Sequence, residues 1–491
     1  MILALTLLAT PAWASPMEFY GFGGRKMGRA GAGMALSEGT DSILSDPAAM
    51  PGIDHPELSV GFLMADAQFT QFPDLWWDTN RDGRIDETDP PLDAGPDYDA
   101  VHGVMIGATR PLGNRAAIGL GLFIPKERLL RLQTFEPSIP TYFLYANRTQ
   151  RYELGVGLGV RPIAGISAGL GVQMIPRAKY SLDATLDLTL DGATSSDTSA
   201  SDVIGLGLDV HEMTLDLVPG FSPSVSLQWE AGEALPLLEG LELAAAWRGA
   251  AGLPVDVDID LQINASTQDM GSVDSITLPL LFAVQLGVFD HYVPSELNFG
   301  AAYTIEKTLT ISVDLRRTAW DQMAVSIAKV THSNISGATV DFGADSVVDG
   351  NPYTLDLAAT WAPRIGADLH LPAIHTTTPL GDIRVITRGG FGFEPTPLVS
   401  QTAESALLDS DRLIFAVGLG VEHQDPFRKK SRPDRARPMR LDGFFQYHLL
   451  ASGEYARPVP TAPTAGYSID GSPIPIGGHL LAAGAQWSFE Y

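Results

Sequence analysis

One acidic segment of the chain carries oxygen-bearing residues at the spacing of a calcium-binding loop. Oxygen side chains occupy positions 1, 3, 5, 9 and 12 of this twelve-residue stretch, and Gly83 stands at position 6, where such loops turn sharply. The candidate ligand positions, one of them through its backbone carbonyl, are Asp78, Asn80, Asp82, Arg84, Asp86 and Asp89. Calcium prefers six to eight oxygen ligands, so the spacing predicts a structural calcium site. The alternative is an acidic surface loop with chance spacing.

A second motif has the form of a catalytic one, but its surroundings argue against catalysis. Residues 165–169 spell G-x-S-x-G, which forms a nucleophile elbow only on a strand–turn–helix unit. Here the alternation of the sequence continues as a strand through Ser167. The histidines form no close metal-binding motif, and no phosphate-binding glycine loop is present. We therefore predict no enzymatic activity, no catalytic residue and no organic cofactor.

The N-terminal residues and the composition point to an exported membrane protein. Residues 1–14 contain an apolar run and end in Ala12-Trp13-Ala14, which is typical of a cleaved secretory signal. No later segment is long and apolar enough for a transmembrane helix, and the chain has no cysteine. A formal charge of −26 argues against nucleic acid as a partner, because phosphates would be repelled.

Several segments alternate apolar residues with small or polar residues, as strands of a transmembrane barrel do. Residues 154–160 and 166–174 place branched or long apolar residues on one face and glycine, serine or glutamine on the other. Residues 478–491 repeat the pattern and end in Trp487, Phe489 and Tyr491, which is typical of an interfacial aromatic girdle. The alternation predicts an all-β protein, a transmembrane antiparallel β-barrel.

The pattern predicts fourteen strands, an even number as single-chain bacterial barrels require. They are 58–72, 99–110, 116–125, 150–161, 165–190, 204–230, 240–265, 274–290, 296–320, 353–371, 380–395, 410–422, 440–452 and 478–491. Most connections alternate between short and long, as expected for periplasmic turns and extracellular loops. Two connections break this rule: 266–273 is short among the long ones, and 423–439 is long among the short ones.

Two further segments have a predicted place in this barrel. The Gly/Ala-rich run 19–51 is too apolar for a disordered arm and has no amphipathic period, so we predict that it plugs the lumen. The loop 126–149 is rich in apolar side chains that are unfavourable in water. It either folds over the barrel mouth or forms a groove for substrate capture by Leu129, Leu132, Phe135, Tyr142 and Phe143.

In combination, several short motifs resemble the FadL family, the outer-membrane transporters of long-chain fatty acids and hydrocarbons. They lie in order along the chain: 28–35 (GRAGAGMA), 46–50 (DPAAM), 277–279 (TLP), 314–320 (DLRRTAW), 388–395 (RGGFGFEP) and 409–412 (DSDR). The family usually has Asn-Pro-Ala where this chain has Asp46-Pro47-Ala48, so Asp46 is a departure.

The resemblance implies a fourteen-stranded barrel plugged by an N-terminal hatch, and we place the hatch at 15–54 and the barrel at 55–491. The calcium-loop-like extracellular insert at 73–98 is not part of the family pattern. Implied hatch residues are Gly28, Gly31, Gly33, Asp41, Asp46, Pro47 and Ala48. Substrate would leave sideways beside a kinked third strand, where Gly119 and Gly121 lie. For these two glycines the alternative is that they fit a crowded lumen.

We therefore predict a passive channel in the outer membrane of a Gram-negative bacterium. Its partners would be hydrophobic small molecules, namely fatty acids or hydrocarbons, and outer-membrane lipids, and we expect a monomer. The alternative is a structural or adhesive barrel with calcium-stabilised surface loops.

Overall fold

The structure is a computed structural model that describes most of the chain. The described residues are 19–36, 39–73, 75–76, 91–92, 95–96, 98–126, 140–145, 152–190, 203–252, 257–267, 287–288, 292–323, 326–327, 332–335, 356–378, 380–399, 407–424, 438–455 and 473–491. Side chains are described for these residues except at 75, 92 and 234 and within 176–218, 251–292, 326–327 and 332–335. No helix in this part of the chain is long and apolar enough to cross a membrane.

Fourteen antiparallel strands close into a barrel. They are β1 Glu57–Phe69, β2 Val101–Pro111, β3 Ala116–Pro125, β4 Glu153–Ile163, β5 Ile166–Leu190, β6 Val203–Glu230, β7 Leu241–Arg248, β8 Glu296–Ile305, β9 Leu309–Thr318, β10 Thr360–His370, β11 Arg384–Glu394, β12 Arg412–Gln424, β13 Pro438–Tyr455 and β14 Ile474–Glu490. Each strand pairs with its neighbours in sequence, and the sheet closes because β1 pairs with β14. The predicted fold class is confirmed.

The predicted alternation of faces is also confirmed. Leu170 and Leu227 are 61% and 60% exposed on the outer surface, whereas Ser167 and Gln228 are buried toward the lumen. At the C-terminus Trp487 is exposed and stacks on Phe489 with the ring centroids 4.9 Å apart. A continuous apolar outer surface of this kind is stable in lipid and unfavourable in water, so it is the membrane-facing belt.

The strand count was predicted correctly through two errors that compensate. The predicted strand 274–290 is not among the fourteen strands, because β7 pairs directly with β8; of its residues only the short strand Gly287–Val288 is described. The predicted strand 296–320 is instead two strands, β8 and β9, joined by a turn at Glu306 and Lys307. The predicted connections 266–273 and 291–295 therefore both belong to one long connection between β7 and β8.

The remaining elements are short. Helices α1 Gly24–Met27 and α2 Ala231–Ala234 are accompanied by the 3-10 helices Gly39–Ser42, Pro47–Gly52, Pro236–Leu238 and Trp320–Gln322. Short strands are Leu75–Trp76, Pro91–Leu92, Thr141–Tyr142, Ala251–Gly252, Gly287–Val288, Tyr292–Val293, Ser326–Ile327, His332–Ile335 and Leu407–Leu408. The strand Val257–Thr267 pairs in parallel with β5 beyond the barrel, where β5 and β6 extend as a long hairpin.

Candidate functional site

The described residues between 19 and 53, here called the inner segment, lie inside the barrel and bind its wall on several sides. Gln446 of β13 donates to the carbonyl oxygen of Met27 at 2.8 Å, and Gln486 of β14 accepts the Gly24 N–H at 2.6 Å. On another side, Gln228 of β6 donates to the Ala35 carbonyl at 2.7 Å. The wall thus satisfies backbone groups that the inner segment, with almost no regular structure, leaves unpaired.

One wall of the lumen consists of glycines against which the inner segment packs closely. This glycine wall comprises Gly119 and Gly121 of β3, Gly155, Gly157 and Gly159 of β4, and Gly169 and Gly171 of β5. A Cβ atom built on Gly119 would lie 2.7 Å from side-chain atoms of Ile43 and Met50. On Gly169 it would lie 2.2 Å from the backbone nitrogen of Ala48. At Gly155, Gly159 and Gly169 even one added carbon atom would overlap the inner segment, whereas at Gly121 the nearest atom is 3.3 Å away.

This packing bears on the predicted role of Gly119 and Gly121. The ladder of β3 is continuous with β2 from Ala117 to Pro125 and with β4 from Ala116 to Phe123. In this conformation the two glycines make room for the inner segment, as the alternative interpretation requires. A lateral opening at this strand stays a prediction.

The opposite wall carries five inward-facing arginines, here called the arginine wall. They are Arg248 of β7, Arg316 of β9, Arg364 of β10, Arg388 of β11 and Arg412 of β12. Glu394 forms ion pairs with the guanidinium groups of Arg316, Arg364 and Arg412. The Arg388 guanidinium lies 2.7 Å from Asp442 and 3.4 Å from Asp368. Because these charges are buried, removing one partner would leave the other uncompensated.

The first half of the inner segment is bound to the arginine wall. Its Arg29 forms an ion pair with Asp368 at 3.1 Å, and Asp314 accepts the Met34 N–H at 3.1 Å. Arg364 donates to the carbonyl oxygen of Ala30 at 3.1 Å.

The glycines predicted for the hatch lie in this half, at points of close approach. A Cβ atom on Gly28 would lie 3.1 Å from the Cα of Gly418, and one on Gly31 would lie 2.0 Å from the Arg364 guanidinium. Gly31 and Gly33 also have φ angles of +81° and +101°, which favour glycine. A side chain at Gly33 would meet the Arg29 guanidinium.

Asp41 links the inner segment to the first and last strands. Its carboxylate accepts from Arg25 Nε at 3.0 Å and from Gln486 Nε2 at 2.7 Å, and Arg25 also reaches Glu57 at 3.3 Å. Burial alone would raise the pKa of Asp41, but the charge of Arg25 and these hydrogen bonds outweigh it and hold the pKa below its ordinary value. Asp41 is therefore a charged anchor at all ordinary pH values.

Asp46 has a less satisfied environment. Its Oδ1 accepts the Ala48 N–H at 3.1 Å and caps the 3-10 helix that begins at Pro47, while Ser226 accepts the same N–H at 2.9 Å. Its Oδ2 is buried and has no hydrogen-bond partner among the described residues. Burial accordingly raises the pKa of Asp46 to about 6.

A cavity of 110 Å³ lies where the inner segment meets the arginine wall. Its charged lining comprises Lys26, Arg248, Arg316 and Arg364 against Glu296 and Asp314. The apolar part of the lining includes Phe22, Met34, Leu44 and Ala246. The lining of the cavity thus combines cationic and apolar side chains.

Residues 140–145, here called the strap, close the lumen at the end opposite the short turns. Thr141–Tyr142 pairs in parallel with Leu407–Leu408. The Tyr142 ring stacks on Phe69 with the centroids 4.0 Å apart, and its hydroxyl accepts the Gly477 N–H at 2.9 Å. Phe19 of the inner segment packs edge-on against Tyr145 from below, at 5.2 Å.

Of the predicted capture and calcium residues, only Tyr142 and Phe143 lie in the described part of the chain. Tyr142 and Phe143 are fully buried in the strap, as expected for a loop folded over the mouth. Leu129, Leu132 and Phe135 lie outside the described residues, as do Asp78, Asn80, Asp82, Arg84, Asp86 and Asp89. The flanks of the predicted calcium loop are described, and they pair as Leu75 with Leu92 and Trp76 with Pro91. The calcium site stays a prediction.

The arginine wall was missed as a site by sequence reasoning, although a signal for it exists. Arg316 and Arg364 stand in phase with the small and polar residues of their strands, and so face the lumen. A charge at such a position in a transmembrane strand marks a functional lining. By contrast, Ser167 stays on an uninterrupted strand, where Arg161 Nε donates to its hydroxyl at 3.3 Å. It does not form a nucleophile elbow.

Comparison with solved structures identifies the architecture. A FadL homologue of Pseudomonas aeruginosa superposes with a TM-score of 0.54 at 16% identity, covering 95% of this chain and 98% of that chain. The chain has a FadL-type fold. The shared architecture is a closed fourteen-stranded barrel with an apolar belt that faces lipid.

Other matches to FadL-type barrels are more distant. The toluene transporter TodX of Pseudomonas putida has a TM-score of 0.45 at 13% identity, covering 96% of this chain and 99% of that chain. The toluene transporter TbuX of Ralstonia pickettii has a TM-score of 0.45 at 11% identity, covering 97% and 100%. No protein-family model and no curated protein matches the chain.

Proposed function

We propose that this FadL-type barrel is a passive outer-membrane channel for hydrophobic compounds with an anionic head, with long-chain fatty acids as the substrate class. The observation that supports this most directly is the cavity beside the arginine wall. A fatty acid has a carboxylate and an apolar chain, and the lining of the cavity offers both cationic and apolar side chains to match them.

The charges of the cavity favour an anion. Four cationic side chains and two carboxylates line the cavity, and Glu394 outside the lining pairs with Arg316 and Arg364, which leaves a cationic excess of one. Guanidinium groups bind carboxylates through short, charge-assisted hydrogen bonds, and such bonds are stronger where water is excluded. A neutral hydrocarbon cannot form these hydrogen bonds with the guanidinium groups of the cavity.

Passage requires the inner segment to move, because it occupies the lumen between the two walls. Its apolar residues Ile43, Leu44 and Met50 rest on the glycine wall mainly by van der Waals contact. In this proposal it acts as a plug that shifts to pass the substrate. Exit sideways into the membrane beside β3 would spare the apolar chain a transfer into water.

The test compares uptake of radiolabelled oleate and hexadecane by cells that express the wild type or Arg248→Gln. Arg248 lines the cavity and forms an ion pair with Glu296 at 3.5 Å. Loss of a charged hydrogen bond to the carboxylate should lower oleate uptake roughly tenfold and leave hexadecane uptake unchanged. The matched control is Arg384→Gln, since Arg384 is exposed, pairs with Glu422 and lies outside the cavity.

Two results would contradict the proposal. Equal uptake by cells with and without the barrel would mean that the chain does not transport these compounds. Equal loss of oleate and hexadecane uptake in Arg248→Gln, absent from Arg384→Gln, would mean that the arginine wall does not recognise the carboxylate.

A further inference from the structure

A second, smaller pocket lies directly beneath the strap, and it contains the Asp409-Ser410-Asp411-Arg412 motif. This mouth pocket has a volume of 20 Å³ and is lined by Phe19, Tyr145, Trp320, Asp409, Ser410 and Arg412. It sits where β9 ends and β12 begins, between the strap and the cavity of the arginine wall. A substrate that enters from outside meets it first.

Polar side chains at the start of β12 in the mouth pocket have hydrogen-bonding atoms without hydrogen-bond partners in the described part of the chain. They are Asp409 Oδ1, Ser410 Oγ and Arg412 Nη1. Their residues are only 6%, 7% and 3% exposed. Buried polar atoms are nearly always paired, because an unpaired one costs about 1–3 kcal/mol. Donors and an acceptor without partners in one small pocket indicate that it receives a polar group.

Arg412 is held in place by groups other than this ligand. Its guanidinium forms an ion pair with Glu394 and lies 4.4 Å above the centre of the Phe19 ring. The remaining nitrogen is therefore fixed in direction, and Asp409 and Ser410 are fixed by the start of β12. Such a preorganised arrangement binds a small polar group with little loss of side-chain freedom.

The charge of the pocket determines which polar group fits. Three carboxyl groups, Glu296, Glu394 and Asp409, line the pocket with the guanidinium groups of Arg316 and Arg412, and Arg364 outside the lining also pairs with Glu394. The charges therefore balance, and no cationic excess attracts an anion, in contrast to the cavity below. The volume accommodates a group about the size of a water molecule. A hydroxyl group satisfies both conditions, because it donates one hydrogen bond to a carboxylate and accepts others.

We propose that the mouth pocket binds the O–H of an amphiphile's head, that of an alcohol or an un-ionised carboxylic acid, and selects amphiphiles over plain hydrocarbons. This inference rests on the proposed transport function. The apolar side chains of Phe19, Tyr145 and Trp320 surround the start of the hydrocarbon chain, and the strap shifts to admit the rest. An alkane leaves the polar atoms of the pocket unpaired, and sites built for a hydrogen bond discriminate strongly against ligands that lack it.

The experiment measures uptake of radiolabelled 1-dodecanol and dodecane by cells that express the full chain. The variants are Asp409→Leu, which removes the acceptor at similar size, and the milder Ser410→Ala. The matched control is Asp411→Asn, because Asp411 accepts the Thr396 N–H at 2.9 Å outside the pocket. All variants are first checked for a folded barrel by their mobility on unheated gels.

The wild type and Asp411→Asn should prefer the alcohol. In Asp409→Leu this preference should fall on the order of tenfold, with a smaller fall in Ser410→Ala. If the ratio of dodecanol uptake to dodecane uptake is the same in the wild type and in both pocket variants, the pocket holds only an adventitious water and the proposal is wrong. If neither compound enters faster than into cells without the barrel, the transport function itself fails.

Discussion

Substituting Gly169 by alanine should dislodge the inner segment while leaving the barrel intact. The added Cβ would lie 2.2 Å from the Ala48 nitrogen, 2.5 Å from the Pro47 carbonyl carbon and 2.6 Å from Ser226 Oγ. Two of these are backbone atoms, which cannot rotate away. The strand ladders on both sides of Gly169 need no change, because alanine fits a β-strand.

The magnitude follows from the contacts that are lost. Overpacking of a tight contact costs about 1–3 kcal/mol. Displacing Ala48 also breaks its 2.9 Å hydrogen bond to Ser226, which contributes about 1 kcal/mol. The overpacking and the lost hydrogen bond together destabilise the docked inner segment by about 2–4 kcal/mol. The population of the displaced inner segment should therefore rise by a factor of roughly 30 to 700.

The assay is ion conductance of the purified barrel in planar lipid bilayers, with Gly389→Ala as control. Gly389 has only one neighbour near a new Cβ, at 3.9 Å. Conductance should rise most in Gly169→Ala and less in Gly119→Ala, whose neighbours at 2.7 Å are side-chain atoms. It should rise least in Gly121→Ala, with its nearest neighbour at 3.3 Å. Conductance of Gly169→Ala equal to that of the wild type and Gly389→Ala would refute the reasoning.

Other consequences can be tested separately. The pKa of Asp46 is about 6 when the residue is buried and returns to 3.8 when the inner segment is released. Docking of the inner segment is therefore weakened by about 3 kcal/mol as the pH rises from below 3.8 to above 6. Wild-type conductance should therefore rise from pH 4 to 6, and Asp46→Asn should abolish this rise. Tyr142→Phe should loosen the strap and speed maleimide labelling of Leu407→Cys about fivefold, since about 1 kcal/mol is lost. Calorimetry should detect calcium uptake that Asp78→Ala plus Asp82→Ala abolishes; uptake that survives both would refute the predicted ligands.

The barrel could be predicted from sequence because its signal is local. A strand that faces lipid on one side and the lumen on the other alternates with period two, and Leu170 and Gly169 show this directly. The turn between β8 and β9 carries no such signal. Glu306 and Lys307 adopt φ angles of +47° and +59° there, in place of the glycine or asparagine that marks such turns. The sequence pattern therefore predicted one strand where the structure has two, β8 and β9.

The contents of the lumen could be predicted only in outline. The alternation assigns Arg388 to the lumen, but its partners Asp368 and Asp442 lie on other strands, and only the closed barrel brings them together. The Gly-rich composition of the inner segment predicted that it lies within a narrow space. Its hydrogen bonds to side chains hundreds of residues away could not be predicted, because they depend on the register of every strand between them.

The two walls of the lumen bind the inner segment by different physical means, and this difference bears on how it could move. The arginine wall binds its first half by charged and hydrogen-bonded contacts such as Arg29 to Asp368. Breaking these contacts would leave buried charges unpaired, so displacement of this half has a high free-energy cost. The glycine wall binds residues 43–50 of the second half mainly through shape, with Ile43 and Met50 over bare backbone, whereas Asp41 is anchored by Arg25 and Gln486. An apolar chain can replace the contacts of residues 43–50 with its own, so the hydrocarbon chain of a substrate should displace these residues while Asp41 and the first half stay anchored.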